Sequence, residues 1–155
     1  MAQQNAGEQI RLTASDGHQL DAYLARPAGT PKAGVIICQE VFGVNDHIRE
    51  VVDGYARDGY LTLAPSLFDR VERGVELEYG PDELDRGREI RGQIDWDDIA
   101  QDVQAAVDHL RGELGPDGKI GVIGYAWGGA VAWLAACRLP VNAAVSYYSG
   151  QIFEL

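Results

Sequence analysis

The sequence predicts a three-layer α/β/α sandwich built on a mostly parallel sheet, and three observations predict it. After an opening hairpin, strand-like and helix-like segments alternate along the chain, the order that places helices on both faces of a parallel sheet. The run "AGVIIC" is continuously apolar and β-branched, as strands covered on both faces are. Apolar residues between them recur at helical spacing. Right-handed crossovers then close the layers. The 155 residues suit one domain over 1–155 with a core of useful size.

Each element has its own signal. Residues 8–26 predict a hairpin: "QIRLTA" and "QLDAYLA" alternate apolar and polar residues around the turn Ser15-Asp16-Gly17-His18. "RPAGTPK" is a loop and "AGVIIC" a buried strand. In "DHIREVVDGYARDGY", Ile48, Val51, Val52, Tyr55 and Ala56 share a helical face, with Asp46 as expected N-cap and Gly59 as stop. "YLTLAP" is a strand ended by Pro65. Residues 66–95 are charged and interrupted by glycine, and are expected to run over the surface. From Trp96, the positions Ile99, Val103, Ala106, Val107, Leu110 and Leu114 predict a long helix ended by Gly115-Pro116-Asp117-Gly118. "KIGVIGY" is a strand, "GGAVAWLAACR" a short buried helix and "VNAAVSYYSG" a last strand. That strand is expected to present an apolar edge, which pairs readily. Association with a missing C-terminal segment or with a second copy is therefore expected there.

The 24 acidic and 13 basic residues give a net charge of −11. Nucleic acid and anionic membrane require a positive footprint, so neither is expected as partner. Cys38 and Cys137 fall in apolar runs and are expected to be buried free thiols. The opening MAQQNAGEQ has neither a basic nor an apolar leader region, and no apolar run reaches about 18 residues. A cytoplasmic protein is expected.

The chemistry is concentrated in "GYAWGG", residues 124–129. A turn of the form G-x-Nuc-x-G between strand and helix holds its central residue above the sheet, beside the free N–H groups of the helix. Gly124 and Gly128 flank Ala126, which has no atom able to attack. Two other readings stay open on spacing alone. One is a plain tight turn. The other is a dinucleotide loop, because Gly124-x-Ala126-x-x-Gly129 is one residue from G-x-G-x-x-G. Residues 144–146, Ala-Val-Ser, supply no acid for a ribose about 20 positions on.

The stretches "CQEVFGVNDHIRE", "GYLTLAPSLF" and "KIGVIGYAWGGAVAW" together resemble the dienelactone hydrolase family, of the α/β-hydrolase fold. The resemblance implies a carboxylic ester hydrolase acting on a small lactone or ester without metal or organic cofactor. It implies that Ala126 stands where the family carries a cysteine nucleophile, through a Cys→Ala substitution or in a naturally inactive relative. Glu40 would pair with the resting thiol, Val41 and Trp127 would offer oxyanion N–H donors, and Arg86 or Arg88 would hold a substrate carboxylate. The family's aspartate and histidine follow the nucleophile, and no histidine follows Ala126 here. His18, His47 and His109 are expected to be surface or packing residues, and Cys38 a structural thiol. The polypeptide as written is expected to be inactive and to comprise about two thirds of the family's domain. The alternative is a non-catalytic binding or assembly module.

Overall fold

The computed structural model describes residues 7–155. Residues 1–6 of the stretch read as lacking a leader lie outside them. Six strands, β1 (Glu8–Thr13), β2 (Gln19–Ala25), β3 (Gly34–Cys38), β4 (Leu61–Pro65), β5 (Ile120–Tyr125) and β6 (Ala143–Tyr147), form one sheet in the order β1-β2-β4-β3-β5-β6. The pairs β1–β2 and β2–β4 are antiparallel, while β4, β3, β5 and β6 run parallel. The register sets Cys38 opposite Gly124 and Gly124 opposite Ser146. The carboxyl ends of the three strands that matter for the site are therefore level, where open parallel sheets place their ligands.

Strand alternation divides the core. Val35, Ile37 and Ala64 face helix α1 (Asp46–Arg57), meeting Ile48, Val52 and Ala56. Ile36, Leu63 and Val122 face the opposite layer, meeting Val103, Val107 and Leu110 of α3 (Trp96–Leu114) and Val131 of α4 (Trp127–Arg138). Because β3 is covered from both sides, all five of its residues are buried. This is the expected three-layer sandwich.

Three local expectations need correction. The N-cap of α1 is Asn45, whose Oδ1 accepts from Ile48 N at 3.1 Å; Asp46 instead lies in the first turn and pairs with Arg49. Asn45 takes the cap because its backbone is extended, at φ −95° and ψ −175°. Residues 66–95 are more than a surface excursion. A 3₁₀ turn at Leu67–Arg70 buries Leu67 and Phe68, and helix α2 (Pro81–Arg91) buries Ile90. Few apolar positions anchor a charged segment when each inserts deeply, so its composition conceals them. Cys137 is exposed while Cys38 is buried, because Cys137 lies near the end of α4 on the side that no described element covers. Every residue of β6 is exposed, as are Trp133 and Tyr147. The last strand is thus the open edge expected of it. Among the described residues no helix is long and apolar enough to cross a membrane.

One buried ion pair ties the 3₁₀ turn to α3. Arg70 Nε and Nη2 donate to the two oxygens of fully buried Asp102, both at 2.9 Å, and Nη1 reaches Asp16 at 2.9 Å. Removing one member of such a pair strands the other charge. Arg70→Met is expected to cost about 3–5 kcal/mol in denaturant unfolding, and Arg70→Met with Asp102→Leu distinctly less. Burial also pushes the Cys38 thiol up to about 12. Thiol titration at pH 8 is accordingly expected to count one cysteine in the native protein and two after unfolding.

Candidate active site

β5 ends at Tyr125 and α4 begins at Trp127, so Ala126 alone makes the turn. Its backbone is at φ 54° and ψ −118°, a region that alanine occupies only under strain from its surroundings. Those surroundings are close backbone contacts. A Cβ on Gly124 would collide with the backbone of Gly128, and one on Gly128 with the carbonyls of Cys38 and Gln39. A Cβ on Gly129 would lie 2.8 Å from Ser146 Oγ and 3.0 Å from Tyr147 O. Helix α4 therefore starts in van der Waals contact with the ends of β3 and β6. Two hydrogen bonds fasten it there: Ala126 N donates to Tyr147 O at 3.0 Å, and Ser146 Oγ donates to Gly129 O at 2.9 Å. The N-terminal N–H groups of α4 have no intrahelical acceptor, so the amide of Trp127 lies at the dipole's positive end, next to the methyl of residue 126. The Trp127 ring is buried below, 5.3 Å from Phe68 and 6.3 Å from Trp96 between centroids.

The loop after β3 completes the rim. Gln39 is fully buried; its Oε1 accepts from Leu67 N at 3.0 Å, and its Nε2 donates to Glu40 O at 3.1 Å. Glu40 Oε1 accepts from the Tyr79 hydroxyl at 2.8 Å, and Oε2 from the Tyr148 hydroxyl at 3.4 Å. Tyr79 also accepts from Asn45 Nδ2 at 3.3 Å and meets Phe42 edge-on at 4.6 Å. Burial, reinforced by the Glu40 carboxylate against the Asn45 amide, pushes the Tyr79 phenol to about 12. Val41 is buried, and its carbonyl abuts Gly87 of α2, where any side chain would collide. At Gly43, with φ 85°, the loop turns and bridges to Glu76.

Ala126, Trp127, Glu40 and Val41 are thus brought together at the carboxyl ends of β3 and β5. Arg86 and Arg88 are not: Arg86 is exposed and paired with Glu72 at 2.6 Å, and Arg88 is exposed. Arg91, from the same segment, lines with Ile94, Trp96, Trp127 and Gln151 a cavity of about 160 Å³. Its guanidinium makes no ion pair among the described residues. His18 lies in the β1–β2 turn and His109 bonds Glu113 on α3 at 2.8 Å. Of the three histidines, His47 comes nearest the rim, with its ring centroid 6.5 Å from that of Tyr79. Cys38 contributes a carbonyl to the contact with Gly128, while its buried thiol faces the core. Among the described residues no three His, Cys, Asp or Glu side chains are grouped to hold a metal ion.

Sequence reasoning missed helix α2 and the contacts of Tyr79 and Tyr148 with Glu40. Pro81 at the first turn, Asp82 and Glu83 behind it, and Arg88 and Arg91 at the far end mark α2 as a helix. That signal was available. Nothing local pointed to Tyr79 or Tyr148, which act on Glu40 across 39 and 108 positions.

A one-residue strand-to-helix turn at the switch between parallel strands, with a helix N-terminus behind it, defines an α/β-hydrolase architecture. The dienelactone hydrolase family profile matches residues 20–154, and the chain belongs to that family. It is 35% identical over 143 residues to the carboxymethylenebutenolidase of Pseudomonas putida, covering 91% of this chain and 60% of that protein. It is 29% identical over 140 residues to carboxymethylenebutenolidase 1 of Cupriavidus pinatubonensis, at 90% and 60% coverage. Its structure superposes on a Klebsiella pneumoniae protein assigned to the dienelactone hydrolases with a TM-score of 0.77 and 30% identity, covering 94% of this chain and 61% of that one. A dienelactone hydrolase-like promiscuous phosphotriesterase from metagenomic libraries superposes with a TM-score of 0.70 and 25% identity, at 94% and 60%. The chain thus spans about three fifths of the length of these relatives.

Strain at residue 126 gives a direct expectation. Ala126→Gly relieves a backbone cost of about 1–3 kcal/mol against an entropic loss of about 0.5–1 kcal/mol, so thermal unfolding should shift upward. Gly128→Ala should lower the midpoint, because its neighbours are backbone and cannot yield.

Proposed function

We propose that this fold serves hydrolysis of small lactones or carboxylic esters, with residue 126 as the nucleophile's station and a cysteine as the side chain suited to it. The observation that carries the proposal is the strained turn at Ala126, placed between a helix N-terminus and the loop of Glu40. The close glycine contacts hold this turn at a left-handed φ, yet the residue that bears the strain is not glycine. A nucleophile aimed above the sheet calls for such a residue.

The geometry of the rim supports the following mechanism. A thiolate at 126 adds to the substrate carbonyl, and the amides of Trp127 and Val41 receive the oxyanion. The tetrahedral adduct collapses, the C–O bond breaks, and the leaving oxygen takes a proton from an acid. Water then cleaves the thioester and releases the acid product. Glu40 governs the ionisation of the resting thiol. Arg91, the unpaired cation in the cavity beside Trp127, takes the place first assigned to Arg86 or Arg88 in holding a substrate carboxylate. The histidine and aspartate that shuttle the proton would come from further polypeptide of the relatives' length. That polypeptide would pack on the open edge of β6 and on Trp133 of α4; a second copy is the competing occupant.

With Ala126 in place, the attacking atom is missing and no ester turnover is proposed for this chain. That same alanine supports the second reading, a non-catalytic binding or assembly module that keeps the fold. One experiment separates the two. Ala126→Cys, in a chain extended to the relatives' length, is expected to hydrolyse p-nitrophenyl acetate or a dienelactone at least on the order of a thousandfold faster than the alanine form. Equal rates for the two forms would favour the binding module.

A further inference from the structure

We propose that Tyr79 is a positioning residue for Glu40: its phenol, oriented by Asn45, holds the carboxylate so that its charge is tempered where it bears on position 126. The inference rests on the role given to Glu40 above and adds to it the residues that set that role.

The observations form a chain with a fixed direction. Asn45 Oδ1 is committed to Ile48 N at 3.1 Å, because Asn45 caps α1. The cap fixes the amide's orientation and turns Nδ2 toward Tyr79, whose oxygen it reaches at 3.3 Å. A hydroxyl that accepts from Asn45 has a single hydrogen left to give, and Tyr79 gives it to Glu40 Oε1 at 2.8 Å. The helix cap thereby decides the polarity of a hydrogen bond two groups away. The phenol ring is held by the edge of Phe42 at 4.6 Å, and the strand-like stretch before it is fastened by Leu77 N to Phe42 O at 2.8 Å. Tyr79 is otherwise more than half exposed, so these polar contacts, and not burial of the ring, account for its placement.

Tyr148 supplies a longer second bond to Glu40 Oε2, at 3.4 Å, from a residue with φ 39°. The two non-glycine residues with positive φ among those described are Ala126 and Tyr148, and the second bonds the Glu40 carboxylate. Tyr148 directly follows Tyr147, whose carbonyl receives the N–H of Ala126. The turn that presents residue 126 and the turn that aims Tyr148 share a hydrogen bond.

The consequence is electrostatic. A carboxylate beside a thiol disfavours the thiolate by like-charge repulsion, and a donor on that carboxylate spreads its charge and weakens the penalty. Tyr79 keeps the Glu40 carboxylate in place and its charge less repulsive.

The test uses the chain carrying Ala126→Cys and Cys137→Ser, so that alkylation by iodoacetamide reports position 126; Cys38 is buried and silent. Rates against pH give the thiol's ionisation midpoint. Glu40→Gln should lower the midpoint, since it removes the neighbouring charge. Tyr79→Phe keeps the ring against Phe42 and should raise the midpoint by about half a pH unit, a roughly threefold slower reaction near neutrality. Tyr148→Phe should act in the same direction but less. Combined with Glu40→Gln, Tyr79→Phe should have no effect, because nothing remains to be positioned. If Glu40→Gln moves the midpoint and Tyr79→Phe does not, or if the two effects simply add, Tyr79 is a surface contact and the inference is overturned while the role of Glu40 stands. An unmoved midpoint in Glu40→Gln overturns the role of Glu40, and the inference with it.

Discussion

Everything in the site depends on one steric fact: the glycines that open α4 touch the backbone at the end of β3 and meet Ser146 and Tyr147 of β6 so closely that no Cβ fits. Gly128 meets the carbonyls of Cys38 and Gln39, Gly124 meets Gly128, and Gly129 meets Ser146 and Tyr147. Interiors are packed densely enough that one Cβ at such a contact must push backbone aside. That closeness leaves room for a single residue between strand and helix. It forces residue 126 to a left-handed φ, brings the helix's unpaired N–H groups to the sheet's edge, and places the β3 loop within reach. Position, electrostatics and strain have one cause.

The polar residues around this contact make it specific. Buried Gln39 links the end of β3 to the 3₁₀ turn after β4 and fixes the main chain of Glu40. Gly87 lets α2 press on the Val41 carbonyl, so the segment richest in charge becomes a wall of the site. Arg70, paired with buried Asp102, anchors that segment's start to α3. An unpaired charge at that depth would cost more than the pair contributes, so the segment has one low-energy seat. The site is therefore assembled by elements that pack against one another, and not by a mobile loop folded over a finished sheet.

Membership of the dienelactone hydrolase family and an alanine at the elbow are compatible because the strain belongs to the backbone and not to the side chain. The glycine contacts enforce the turn whatever residue stands at 126. Alanine keeps a Cβ there and so keeps the cost that a nucleophile would bear, without the chemistry. Across the carboxyl ends of the strands the chain also holds an unusual density of tyrosine, with Tyr125 and Tyr147 stacked 5.3 Å apart and Tyr148 close by. These rings lie beside the exposed β6 edge.

Much of this was legible in one dimension. Strand and helix periods gave the layers, and continuous β-branched runs marked β3 as central. The glycine spacing of "GYAWGG" located the turn, because a steric exclusion between residues four and five apart leaves a local mark. That the loop of Glu40 and Val41 sits at the strand ends could be read because it directly follows a recognisable strand; their roles came only from the resemblance. The sequence could not show that Asn45 rather than Asp46 caps α1, since both residues suit the role and only the backbone's entry into the helix selects one. Nor could it show that Arg91 lines a cavity with Trp127 while Arg86 and Arg88 are exposed, because helical phase depends on how α2 docks through Gly87. The tyrosines on Glu40 were beyond it for the same reason. Their hydrogen bonds join residues far apart in sequence, and such contacts come into being only when the sheet's register brings three strand ends level.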